Sequence, residues 1–402
     1  MRYPGTRLII FITILLIPLW SFLVWLAWPA KIMDSLILDK TVLFKKGDEH
    51  RSFNWMLFHD KYKDSNKKFK KIPVDYYGFF PLERTLPPPE GYYWDDLDST
   101  YDKIPIEKSW LDSIANDLDM IYYTDLYGIY TNEWNLDTTT WKERSNLIYG
   151  GLSWNDLHLM KEMKRRQKLM ITEFNLFAQP TAEDIRKEAE ELLNVEWTGW
   201  VGRYFDPLDP VENEELPDWV VKGYMKTHDT IWPFGEKGGI VFADENDNIE
   251  ILEDSADLDI IVPFIYTTEY GQKKFNLPDS IHYPFWFDIT FPSNDSNLVV
   301  SSFKIHSNSR GDSILNYWNI PNRFPAVMEH SGPSPYYYFG ADFCDNPISM
   351  FPAFFAGTGW INFLFWDNEY LRRIKFFWKF YRPLMRKIMK DYYKEIKQKR
   401  KE

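Results

Sequence analysis

The sequence predicts an α/β protein on a mostly parallel sheet with helices on both faces, an N-terminal transmembrane helix and a C-terminal basic helical tail. Three observations predict it. Between residues 106 and 195, short apolar runs alternate with amphipathic stretches across short connections, the order that lays parallel strands under helices. From Leu8 to Trp28 runs LIIFITILLIPLWSFLVWLAW, 21 residues without a charge. Residues 351–402 hold 13 Lys and Arg against 5 Asp and Glu, in a chain whose formal net charge is -12.

Composition narrows the function classes. At 402 residues, with 45% hydrophobic and 26% charged positions, the chain can bury a large core and is neither disordered nor fibrous. A single cysteine, Cys344, excludes an internal disulfide framework and a zinc site built on several thiolates. The acidic balance argues against nucleic acid as a partner.

The Leu8–Trp28 run spans about 30 Å as a helix, the thickness of a hydrocarbon core. Trp20, Trp25 and Trp28 sit in its second half, where indoles favour the headgroup region. A lipid bilayer met through residues 8–28 is therefore the expected partner, with a cleaved signal peptide and a buried core helix as competing readings. Arg2 and Arg7 before the run, set against the mixed charges after it, favour a single-pass protein with its body extracytoplasmic.

The remaining elements follow in order. SLILDKTVLF (35–44) reads as a buried strand, EHRSFNWMLFHDKY (49–62) as a helix and VDYYGFFPL (74–82) as a strand, before a proline-rich turn region at 86–98. IEKSWLDSIAND (106–117) reads as a helix leading into the strand LDMIYYTDLYGIY (118–130), and NLIYGG (146–151) as a short strand. Ser153 and Asp156 form an N-cap pair for the next helix. KLMITEFNLF (168–177) is a strand, and Thr181 caps the helix after it. Beyond 195 the pattern turns to short β elements at 197–206, 238–253, 283–291, 297–306, 325–330 and 336–343. The chain divides into an anchor (1–30), an α/β unit (31–270), a β-rich continuation (271–350) and the tail (351–402). In the tail, Phe377, Tyr381, Leu384, Ile388 and Tyr392 recur at helical spacing, a stripe suited to an anionic membrane surface or to docking on the body. The uncharged run 349–366 could dip into a bilayer.

In an open parallel sheet, ligands collect beyond the carboxyl ends of the strands. Asp125, Glu173 and Asn175 fall at two such ends. Asp125 and Glu173 form a candidate acid/base pair of the kind glycosidic hydrolysis requires; the alternative is that they satisfy loop amides or pair with arginines. Gly150 and Gly151 precede a helix N-terminus, either as an anion cradle or as a tight turn, and lack the lysine and glycine spacing of nucleotide motifs. WTGWVGRYFD (197–206) offers Trp197, Trp200 and Arg203 as a sugar-stacking platform, or as core. The seven histidines show no metal-ligand spacing, and the Asp244, Asn246, Asn248 alternation lacks the glycine and distal glutamate of a calcium loop. No metal and no cofactor is expected. Cys344 lacks the context of a nucleophile.

DMIYYTDLYGIY, then IYGGLSWNDLHLMKEMKRRQKLMITEFN, then a helix leading to LLNVEW, resembles the class I glutamine amidotransferase-like fold, a flavodoxin-like α/β unit, over Asp119 to Asn194. The catalytic cysteine elbow of that family has no counterpart, so the resemblance implies the non-catalytic type: a binding or scaffolding domain in envelope glycan metabolism. The expected function is a membrane-anchored extracytoplasmic module recognising glycan or an envelope protein, with Gly150, Gly151, Asn175, Trp197, Trp200 and Arg203 as ligand contacts. The alternatives are a tethered glycan hydrolase using Asp125 and Glu173, and a cytoplasm-facing membrane regulator.

Overall fold

The computed structural model describes residues 4–41, 50–68, 108–134, 145–364 and 368–401. The strand expected at 74–82 and the turn region at 86–98 lie outside them. The chain opens with α1 (Pro4–Ala27), β1 (Lys31–Ile32) and β2 (Ser35–Leu38). After α2 (Arg51–His59), β3 (Tyr62–Lys63) pairs parallel with β1. Then come α3 (Lys108–Asp117), β4 (Met120–Tyr123), β5 (Ile129–Tyr130) and the single turn α4 (Thr131–Trp134). Next, β6 (Leu147–Tyr149) closes a small antiparallel pair with β5 and leads to α5 (Trp154–Arg165), β7 (Leu169–Thr172) and α6 (Glu183–Leu193).

The second half begins with β8 (Val195–Phe205), α7 (Asp218–His228), β9 (Gly239–Asp244) and β10 (Ile249–Glu253). It continues through β11 (Leu258–Thr267), α8 (Glu269–Phe275), β12 (Ser280–His282) and β13 (Phe287–Pro292). The last strands are β14 (Asn297–Ser307), β15 (Arg323–His330) and β16 (Tyr336–Phe339), with α9 (Ser309–Tyr317) between the first two. A π turn at Phe377–Tyr381 then runs into α10 (Arg382–Lys399).

An eight-stranded sheet runs β12-β11-β14-β15-β16-β7-β4-β2, and a four-stranded one runs β10-β9-β8-β13. Only β2, β4, β7 and β16 pair parallel; the other pairings of both sheets are antiparallel. The expectation of a mostly parallel, flavodoxin-like sheet is thereby corrected to a mixed α/β fold. The cause lies in the connections after residue 195: β14, β15 and β16 pair with their sequence neighbours antiparallel, as short returns require. The large sheet also runs through the boundary expected at 270, since β11 pairs with β14.

The parallel strands are apolar throughout because both of their faces are covered. Ile37, Met120, Tyr122, Leu169 and Ile171 enter one core, shared with α2, α10 and the inner face of the small sheet. Leu36, Ile121, Tyr123 and Met170, alternating with them, enter the second core beside Leu157, Met160 and Met163 of α5 and Ile185 and Ala189 of α6. Ser153 and Asp156 cap α5 reciprocally as expected. Thr181 does not cap α6, whose N-cap is Ala182; its hydroxyl instead donates to the Leu176 carbonyl at 3.0 Å.

The transmembrane expectation is also corrected: no helix among the described residues is long and apolar enough to cross a membrane. The last turns of α1 dock on the body instead. Trp25 is buried and donates its indole N–H to the His59 carbonyl at 3.1 Å. The Lys61 ammonium donates to the carbonyls of Trp25, Leu26 and Trp28, supplying positive charge where a helix end needs it. The tail docks too. Leu384, Met385, Ile388 and Met389 of α10 are buried, each worth roughly 1.5–3 kcal/mol of apolar burial.

Candidate functional site

The carboxyl ends of the four parallel strands gather polar groups the apolar core cannot absorb. β2 ends at Asp39 and Lys40, β4 at Asp125, β7 at Glu173 and Asn175, and β16 runs on to Asp342, Cys344 and Asp345. From the small sheet, Arg203 follows β8's inward residues, and Trp286 directly precedes β13.

Glu173 is 1% exposed. The Tyr122 hydroxyl donates to its Oε2 at 2.8 Å, whereas Oε1 has no hydrogen-bond partner. Burial pushes this carboxyl well above the usual range, and the negative charges of Asp342 and Asp125 push it further. The Tyr122 hydroxyl and the Cys344 amide temper that shift, without satisfying Oε1. Burial and the neighbouring charges both favour the protonated form of Glu173 over the carboxylate.

Asp125 is half-buried, accepting from the Tyr127 amide at 2.8 Å and the Asn175 side-chain amide at 3.2 Å. Burial raises its pKa to about 6, the Tyr127 amide opposing and the Asp39 charge adding to the rise. Asn175 holds a left-handed backbone, φ 66°, a conformation asparagine tolerates better than most residues and one that recurs where function fixes a loop. Asp342 is raised to about 7 by burial, against the pull of Arg373, whose Nη1 lies 3.0 Å from Asp342 and 2.8 Å from Asp345. Arg203 pairs with Glu215 and stacks over Phe205 and Trp286; burial lowers its pKa, with Arg373 also lowering it and Glu215 and Asp342 raising it. Trp286 lies parallel to Phe174, ring centroids 6.1 Å apart, and the Asp342 amide donates to its carbonyl at 3.3 Å.

Asp125, Glu173, Asn175 and Arg203 therefore meet in one electrostatic neighbourhood. The other expected contacts stand elsewhere. Trp197 and Trp200 are buried, with the Trp197 indole donating to the Trp200 carbonyl at 3.0 Å. Gly150 and Gly151 form a packed turn: a Cβ on Gly150 would lie 2.6 Å from the Gly128 Cα. The neighbouring amides are already engaged, Gly151 with the Leu126 carbonyl, Leu152 with Thr181 Oγ1 and Ser153 with Asp156. Asp244 accepts from the amides of Asn246 and Asn248, so that alternation closes the β9–β10 hairpin. Cys344 is buried, and burial raises its thiol well above the ordinary value, which keeps it a poor nucleophile.

Among the described residues, one group has metal-ligand geometry: ligand atoms of Asp112, His158 and Glu162 lie within 4.8 Å of one another. Glu162, however, already pairs with Arg165 and Arg166, and a cation would have to displace both. Among the described residues, one cavity of about 230 Å³ lies beside Met33, Ser35 and Tyr62, and another of about 350 Å³ beside Leu315, Ile320 and Arg323. The first lies at the amino ends of the parallel strands and the second beside α9, and neither is lined by the carboxyl cluster. Asp342, Arg373 and Trp286 escaped the sequence reading, although the polar residues just after the YYYF strand were the available signal. The chain matches no protein-family model, no curated protein and no solved structure, so the amidotransferase-like resemblance finds no support there.

Proposed function

We propose that this chain is a binding module for a polyhydroxylated, glycan-class ligand, held at the carboxyl edge of the parallel strands. The observation that supports this is the company Trp286 keeps. An indole stacked on Phe174 stands beside the Arg203 guanidinium, and its carbonyl accepts from the Asp342 amide, while Asn175 and Asp125 close the same edge. A flat ring for a sugar face, with carboxyl, amide and guanidinium groups for hydroxyls, is the usual chemistry of such recognition. The test is a glycan array followed by calorimetry on the full chain. Binding that weakens at least about tenfold in Trp286→Ala supports the reading; no binding to any glycan class overturns it.

A second reading, hydrolysis by acid/base catalysis, is favoured by the acidities. Burial raises Asp125 to about 6 and Glu173 well above its ordinary value, and two carboxyls with perturbed pKa values in one neighbourhood are the groups an acid/base mechanism would use. Turnover of a polysaccharide that disappears in Glu173→Gln would replace binding with hydrolysis as the function.

A further inference from the structure

Two uncharged segments, far apart in the chain, meet on one side of the molecule. The Ser21 hydroxyl of α1 donates to the Ala356 carbonyl at 2.6 Å, and the Ala356 amide donates back to the Ser21 carbonyl at 3.2 Å. Phe22 packs on Phe355, and Trp25 meets Phe354 edge-on at 5.2 Å. This seam joins the end of α1 to the 3₁₀ turn Phe351–Phe354 and the residues just after it, and a second 3₁₀ turn, Asn362–Leu364, follows in the chain. The residues pointing away from it are apolar and exposed: Trp20 at 61%, Phe351 at 71% and Trp360 at 89%, with Leu19, Phe363 and Leu364 around them. Exposed large apolar side chains gathered on two joined segments of a folded body mark an interaction site.

We infer that this platform seats on an anionic lipid surface, as an interfacial contact that needs no helix to cross the bilayer. Charge selects the occupant. Residues 8–28 and 349–364 contain no acidic side chain, so nothing on the platform repels a phosphate layer. Behind it stands a basic rim. The nearby acid Asp60 is buried and flanked by Lys31 and Arg386, and Lys390 belongs to the same group of charges. Indoles at the rim of an apolar face backed by Lys and Arg are the composition of interfacial anchoring, whereas an interface with a second copy would bring these cations against one another.

Binding alone cannot test this, because α1 is itself apolar. The readout is an environment-sensitive fluorophore on the full chain at Trp360→Cys, compared with Tyr317→Cys, a residue 79% exposed; the native Cys344 is buried and spared. Vesicles are phosphatidylcholine alone, or with about 30 mol% phosphatidylserine. The expected result is a blue shift at position 360 but not at 317, quenched by lipid-borne quenchers. Its half-point should need several-fold less lipid when phosphatidylserine is present, an advantage lost in Arg386→Glu/Lys390→Glu. Trp360→Asp/Phe363→Asp, two exposed positions whose folding circular dichroism verifies, should weaken partitioning by roughly tenfold or more. A probe at 360 that stays aqueous on bound vesicles overturns the inference. So does a blue shift that rises with protein concentration without lipid, which would make the face a contact between copies.

Discussion

The Tyr122 hydroxyl donates to Glu173 Oε2 at 2.8 Å, from one parallel strand to the end of its neighbour, and the Tyr381 hydroxyl of the tail stands 3.4 Å behind Tyr122. A line of polar groups thus runs from the C-terminal helix through the core to the candidate site. Burial favours the protonated form of this carboxyl, and a protonated carboxyl needs hydrogen-bond partners rather than a counter-ion.

That state predicts an asymmetry between the two partners. Glu173→Gln keeps a neutral acceptor for Tyr122 and should change stability at pH 7 by less than about 1 kcal/mol. Tyr122→Phe leaves a second oxygen of the same buried carboxyl without a donor and should cost about 1–3 kcal/mol. Urea unfolding at pH 7 measures both. A larger loss for the glutamine variant would mean that Glu173 is ionised in the fold.

Raised carboxyl pKa values also fix the pH dependence of stability. Asp288, buried and accepting from the Tyr338 hydroxyl, is pushed by burial from 3.8 to about 7, and Asp125 and Asp342 move the same way. In each case the folded state binds a proton the unfolded chain has released, so stability is highest below pH 4 in these groups' terms and is lost as pH rises toward 7. For Asp288 the loss is on the order of 4 kcal/mol. Thermal midpoints should therefore fall between pH 4 and 7, and Asp288→Asn should flatten that fall. An unchanged slope in the variant would show that Asp288 is ionised.

How far the site could be read in the chain depends on pairing. Asp125, Glu173 and Asn175 announce themselves, because an apolar strand that stops at a polar residue marks its own carboxyl end. Asp342 follows a strand of the same kind, yet β16 lies beside β7 only after the chain has completed the antiparallel half of the sheet. No local period encodes that neighbour. Aromatic density is ambiguous for a related reason. Trp197 and Trp200 read equally as a platform or as core, and the geometry of β8 makes them core. The end of α1 shows the same limit: an apolar run records that water is excluded, not whether lipid or Phe354 excludes it.

The turn at Gly150 yields a prediction that separates packing from ligand binding. Its Cα faces backbone, with Gly128 Cα 2.6 Å and the Tyr127 carbonyl 2.9 Å from an added Cβ. Backbone on both sides cannot yield as a side-chain tip can, so Gly150→Ala should destabilise by roughly 1–3 kcal/mol. Affinity per folded molecule for any glycan should remain within about twofold. Denaturant titration and calorimetry on the same preparation check the two halves. A variant of native stability that had lost its ligand would instead make Gly150 part of the binding surface.

Lys40 and Asp156 lie 2.7 Å apart with neither side chain exposed. The Lys40 ammonium also donates to the Gly151 carbonyl at 2.8 Å, and Asp156 accepts from the Ser153 amide and hydroxyl while capping α5. One ion pair thus ties the end of β2 to the glycine turn and to the start of the helix. Burying two charges gains little net stability, but removing one leaves the other stranded in a low dielectric. Lys40→Met should therefore cost about 3–5 kcal/mol. Lys40→Met/Asp156→Asn should cost less than Lys40→Met alone, because the amide still accepts from Ser153 and no charge remains unpaired. A double-mutant cycle by chemical denaturation decides this; a double variant as damaged as the sum of the two single ones would show that the pair is not coupled.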